Sequence, residues 1–226
     1  MRKKYVLFDL DGTLTDSREG IVNSIGYMLD HYKIAIDRDQ LQPWLGPPLK
    51  ESLMKYCGFT EERALEGVGV YREYFDRQGI FENRVFPGIE DMLKCLKEQG
   101  YVLLVATSKP EVAAVRVLEH FGLAEYFTYI GGATLDDSRV RKGDVIRYVL
   151  ETCKVREKEQ AVMVGDREQD VYGARENGLE IIGVLYGYGS REELTDAGAD
   201  MLAETPRELV QIFKTDGEFA QNYVGA

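Results

Sequence analysis

Histidine is almost missing: His31 and His120 are the only two in 226 residues, which excludes a multi-histidine metal centre. Cysteine is scarce, and Cys57, Cys95 and Cys153 are odd in number, far apart and in no CxxC pattern. They read as buried thiols in a reducing compartment, so the expected location is cytoplasmic. No apolar stretch approaches the ~18 residues that a membrane span needs, and Met1-Arg2-Lys3-Lys4 leads straight into a short strand-like run, which argues against a cleaved signal peptide. Positive charge is in deficit. With 28 Lys and Arg against 39 Asp and Glu, the formal charge of -11 excludes a general nucleic-acid or anionic-membrane surface, which needs clustered basic residues. An anionic substrate stays possible at a site with its own metal and lysine. Gly187-Tyr188-Gly189 and Gly67-Val68-Gly69 lack the third glycine of a dinucleotide fingerprint, no GxxxxGK[ST] loop exists, and there is no repeat.

What is present starts at the N-terminus. Val6-Leu7-Phe8 is a continuous apolar run, as expected of a central parallel strand covered on both faces. It ends in Asp9 and Asp11, followed by a Gly12 turn. Alternation along a strand puts two acids spaced by two residues on one side. In open α/β sheets ligands bind outside such carboxyl ends. The ordinary alternative is a pair of acids that merely cap the next turn.

From 17 to 81 the sequence reads as helices without a convincing strand. Ile21, Val22, Ile25, Met28 and Leu29 have helical spacing behind Asp16 or Ser17 as N-cap. Leu45-Gly46-Pro47-Pro48 is a turn-rich break before a helix over 49–56, and Thr60 caps a helix to about Gln78, weakened by Gly67 and Gly69. After Phe86-Pro87-Gly88 the pattern alternates. Strands are expected over 101–106, 126–131, 161–164 and 181–185, with helices between them and two more near 192–197 and 206–213; residues from about Lys214 onward are expected to fray. This implies a doubly wound, mostly parallel α/β sheet of Rossmann-like type, formed by 1–16 and 82–226, with an all-α cap inserted at 17–81.

Polar residues stand at four strand ends: Asp9 and Asp11, Thr107, the loop to Lys142, and Asp166 with Asp170. Asp9-Leu10-Asp11-Gly12-Thr13 resembles the DxDGT signature of the haloacid dehalogenase-type phosphatases, and Gly165-Asp166-Arg167-Glu168-Gln169-Asp170 resembles their GDxxxD motif. The resemblance covers most of the chain. It implies that Asp9 attacks phosphorus, that Asp11 serves as acid and then base, that Thr107 binds a phosphoryl oxygen, and that Lys142 neutralises charge. It implies Mg²⁺ on Asp9, Asp166 and the Asp11 backbone carbonyl, with Asp170 in the first or second shell. The relatives commonly have Lys-Pro where this chain has Lys142-Gly143, and Arg139 and Arg141 compete with Lys142 for the cation's role.

The insertion between the first and second motifs is similar to that of family members with a helical cap, which closes over the site. Trp44, Lys50 and Arg84 are candidate specificity residues. The expected function is Mg²⁺-dependent hydrolysis of a small-metabolite phosphate monoester, with phosphoglycolate or a 5′-nucleotide leading, by a monomer or homodimer. A sugar phosphomutase shares the same acids, and a catalytically silent binding module shares the fold.

Overall fold

In a computed structural model the described residues are 3–45, 47–136 and 138–214. Gly46 of the turn-rich break and the tail expected to fray, 215–226, lie outside them. The described chain divides into two compact units, one of residues up to Thr15 and from Val85 onward, the other spanning Asp16–Arg84.

The first unit is the expected doubly wound α/β fold. Its strands are β1 (Tyr5–Phe8), β4 (Val102–Pro110), β5 (Tyr129–Ala133), β6 (Ala161–Gly165), β7 (Glu180–Val184) and β8 (Met201–Ala203), in the order β5-β4-β1-β6-β7-β8. All neighbouring pairs are parallel. Leu7 of β1 stands opposite Leu104 on one side and Met163 on the other. The chain leaves β1 for β4 and β5, then returns across β1 to β6, so the carboxyl end of β1 is the topological switch point where a crevice opens.

Helices α4 (Ile89–Glu98), α5 (Glu111–His120), α6 (Lys142–Thr152), α7 (Glu168–Glu176), α8 (Arg191–Ala197) and α9 (Pro206–Lys214) complete this unit. Leu7, Leu104, Met163 and Ile181 form one face of the sheet and share a fully buried core with Val145, Ile146 and Val149 of α6 and Val171 and Ala174 of α7. β8 is the strand that sequence reading missed. It has three residues between Asp200 and Glu204, too few to show a period, and only its pairing with β7 makes it a strand.

The second unit contains α1 (Arg18–His31), α2 (Leu49–Cys57) and α3 (Glu61–Tyr74). Thr60 caps α3, its Oγ1 accepting from the Arg63 N–H at 3.3 Å. The helix expected to reach Gln78 gives way at Phe75 to a π-helical turn ending at Gly79. A Cβ on Gly79 would lie 2.5 Å from Ser24 Oγ, so α1 and this turn meet where a side chain has no room. Gly67, a poor helix former, has a similar reason: its Cβ would stand 2.9 Å from Leu53 Cδ1 of α2. Ile25, Met28, Leu41, Trp44, Leu53 and Phe59 build this unit's core. Trp44, a specificity candidate by sequence, is a core residue whose ring stacks on Tyr56 at 5.3 Å. The remaining two strands, β2 (Thr15–Asp16) and β3 (Arg84–Val85), form a small separate sheet.

Leu7→Ala in β1 removes a fully buried side chain from the middle of the sheet. Urea denaturation is expected to show a loss of about 2–5 kcal/mol, and a loss below ~1 kcal/mol contradicts the core assignment.

Candidate active site

Asp9 is the first residue past β1, and its N–H still donates to Val164 O at 2.9 Å, so the ladder with β6 fixes its backbone. The chain then turns tightly, with the N–H groups of Leu14 and Thr15 both donating to Leu10 O and that of Gly12 to Thr15 O. Gly12 has φ +90°, and a Cβ there would lie 2.2 Å from Asp166 Oδ2. Glycine is therefore required twice, for its conformation and for the carboxylate beside it.

Asp166 follows β6 and is completely buried. Its Oδ1 accepts from Thr13 Oγ1 at 3.1 Å and its Oδ2 from the Tyr188 N–H at 2.8 Å. Gly187 and Gly189 let that loop wrap close, since a Cβ on either would come within 2.4 Å of an Asp166 atom. Asp170, in the first turn of α7, turns back so that its Oδ2 accepts from the N–H groups of Asp166 and Arg167, both at 3.1 Å. Acids at a helix start are favoured by its unsatisfied N–H groups.

Lys142 opens α6 and binds these pieces together. Its Nζ lies 2.6 Å from Asp9 Oδ1 and 2.8 Å from Asp170 Oδ1, and donates to Ala106 O at 3.1 Å. The competing cations go elsewhere: Arg139 donates to Gly132 O and pairs with Glu111, while Arg141 pairs with Glu176 at 2.7 Å. The chain's Gly143 has a local cause. A Cβ there would lie 2.2 Å from Glu176 Oε2, so a larger residue requires the Glu176 carboxylate to move aside. Of the other two specificity candidates, Lys50 pairs with Glu61 at 3.2 Å and Arg84 with Asp16 at 2.6 Å.

Thr107 sits buried near the end of β4, its Oγ1 accepting from the Lys109 N–H at 3.2 Å. That leaves the hydroxyl proton available to an incoming oxygen. Asp11 faces Lys109, whose Nζ stands 3.0 Å and 2.9 Å from its two carboxylate oxygens. This pair was missed from sequence. The alternation that buries Thr107 and Lys109 but half-exposes Ser108 is the signal that would have found it.

Carboxylate oxygens of Asp9, Asp166 and Asp170 all lie within 4.8 Å of one another. Burial pushes the Asp9 carboxyl up to about 6, with Lys142 pulling it down and Asp170 pushing it further up. Burial also raises Asp166 well above the ordinary carboxylate range, reinforced by Asp170 and Asp9. For Lys142 burial would lower the ammonium, but Asp170 and Asp9 outweigh it and hold it above its usual value. The Lys142 ammonium thus meets two of the three buried acids, Asp9 and Asp170. The donors are hard oxygens, which fit Mg²⁺.

The carboxyl end of β1, at the switch point of the sheet, thus carries a buried cluster of three acids, two of them tied by one lysine. The chain belongs to the haloacid dehalogenase-like hydrolase family, whose sequence pattern matches residues 6–184. It is 45% identical over 195 residues to the 5′-nucleotidase of Pseudomonas aeruginosa, covering 86% of this chain and 88% of that protein. A protein of Mycobacterium tuberculosis named tyrosine-protein kinase PtkA is 42% identical over 81% of this chain and 62% of its own length. The phosphoglycolate phosphatase of Vibrio parahaemolyticus is 24% identical over 92% of this chain and 95% of its own. Among solved structures, a predicted phosphatase from Clostridium acetobutylicum superposes with a TM-score of 0.92 at 48% identity, covering 95% of this chain and 100% of that one.

Because the folded Asp9 carboxyl holds its proton up to about 6 against 3.8 for the free side chain, the metal-free native state binds more protons than the unfolded chain between those values. Its contribution therefore favours folding at low pH and is lost as pH rises through that window. A divalent cation favours the ionised acids instead. Mg²⁺ is expected to raise the melting temperature more at about pH 8 than at about pH 4.5, and an equal gain at both contradicts the cluster as its site.

Proposed function

We propose that this protein hydrolyses a small-metabolite phosphate monoester through a phosphorylated Asp9. The observation that carries this reading is the placement of Asp9, with Oδ1 held by Lys142 at 2.6 Å and the carboxyl group set among acids at the switch point. In the first step an Asp9 oxygen bonds to phosphorus while the bond from phosphorus to the ester oxygen breaks, and Asp11 gives that oxygen its proton. In the second, Asp11 takes a proton from water, the water oxygen bonds to phosphorus, and the bond to Asp9 breaks to release inorganic phosphate. Thr107 donates to a phosphoryl oxygen, and Lys142 offsets the charge gathered on Asp9 and the phosphoryl group.

Asp9, Asp166 and the Asp11 backbone carbonyl would hold Mg²⁺, with Asp170 beside them. The ion supplies the positive charge that lets one anion approach another.

We assign substrate choice to the helical unit, which contains an open pocket of about 530 Å³ lined by Asp16, Arg18, Glu19, Asn23, Arg38 and Arg84 among others. That volume suits a metabolite rather than a protein surface. The three cysteines are unpaired thiols, which supports the cytoplasm, and no helix among the described residues is long and apolar enough to cross a membrane. The names of the relatives make 5′-nucleotides and phosphoglycolate the first esters to try.

The test is a phosphate-release assay over a panel of esters with Mg²⁺ or a chelator. Turnover of at least one small ester is expected, abolished by the chelator and reduced at least about 10³-fold in Asp9→Asn. Metal-independent release, or full activity in the Asn variant, contradicts the proposal.

A further inference from the structure

We infer that Lys109 is a positioning residue for Asp11, locking that carboxyl group in place beside Thr107 for proton transfer to the leaving oxygen. This rests on the hydrolase reading above and deepens it. Asp11 lies on the turn after β1, and its side chain is 20% exposed, more open than the 11% of Asp9. No ladder bond of its own side chain fixes it; the Lys109 ammonium does, with one contact to each carboxylate oxygen, at 3.0 Å and 2.9 Å.

Lys109 is itself held from several sides. Its side chain is only 4% exposed, and a buried ammonium is costly without a partner, so the pair with Asp11 is the arrangement that burial enforces. Its N–H donates to Thr107 Oγ1 at 3.2 Å, tying its backbone to the proposed phosphoryl-binding hydroxyl. On the far side a Cβ on Gly132 would stand 2.5 Å from the Lys109 carbonyl oxygen, so β5 closes against this backbone with no room for it to shift. The parallel register between β4 and β5 breaks between Thr107 and Pro110, which places Lys109 inside that irregularity rather than on a regular strand. One residue thus sets the distance between the hydroxyl that takes the phosphoryl group and the acid that serves the leaving group.

The consequence is chemical and selective. An alkyl ester expels a strongly basic alkoxide and needs the proton; a p-nitrophenyl ester expels a stable phenolate and does not. Loss of the clamp should therefore damage the first reaction and spare the second.

The experiment compares wild type and Lys109→Met in rapid-quench single turnovers, following release of the alcohol from an alkyl phosphate and of p-nitrophenol from p-nitrophenyl phosphate. The variant is expected to slow alcohol release about 10²-fold and p-nitrophenol release less than ~5-fold. If the methionine variant does not fold, Lys109→Gln, which removes the ammonium from both Asp11 oxygens, carries the same expectation. Equal losses on the two esters, or no loss on either, overturn the role of Lys109. The alkyl phosphate is one that the ester panel shows to be turned over, and a wild-type protein that releases phosphate from no ester of that panel overturns the hydrolase reading instead, so the two failures are distinguishable.

Discussion

The Lys142 ammonium is the tie on which the candidate site depends. It starts α6, yet it reaches across to Asp9 after β1 and to Asp170 in α7, joining three elements that are separated in sequence. Burying three acids close together is unfavourable, because each loses water and repels the others. Lys142 contacts Asp9 and Asp170, yet burial, together with the neighbouring acids, still holds the Asp9 and Asp166 carboxyl groups above their ordinary range. In the proposed reading a second cation, Mg²⁺, offsets this repulsion, so that the site takes a metal and then a phosphate ester.

Close packing sustains the arrangement. Gly12, Gly187 and Gly189 crowd Asp166, and Gly165 lets Asp170 fold back onto the end of β6, where a Cβ would lie 2.3 Å from Asp170 Cγ. Gly173 leaves room for the Lys142 side chain as α6 and α7 come together, and Asn177 bridges the two helices by donating to Gly143 O and Gly173 O at 2.9 Å and 2.8 Å. These groups leave the carboxylates few alternative rotamers. A preorganised site of this kind stabilises developing charge without first having to reorganise.

The sheet was readable in the sequence because its strands are buried on both faces, and Val6-Leu7-Phe8, Leu103-Leu104-Val105 and Val162-Met163-Val164 announce that as plain apolar runs. β8 was not readable, since three residues at a sheet edge leave no period to detect. The π-helical turn at Phe75 was also hidden, because it is set by packing against α1. Within the site, the acids stood out through their position at strand ends. The division of labour among cations did not: Arg139, Arg141 and Lys142 are neighbours in sequence, and only the geometry of Glu176, Glu111 and Asp9 sorts them. The Lys109 clamp on Asp11 was also missed: strand alternation puts Thr107 and Lys109 on one face but names no partner 98 positions away. Trp44, one of three specificity candidates, belongs to a helical core, where aromatics are ordinarily found.

On the proposed reading Asp9 is the group that takes the phosphoryl transfer while its neighbours manage charge. The most direct measurement is acid quenching during turnover, followed by proteolysis and mass spectrometry of the peptide that carries residues 5–16. A phosphate adduct on Asp9, absent without metal, is the predicted result. An adduct on His31, on His120 or on another carboxylate, or none during sustained phosphate release, would contradict the account.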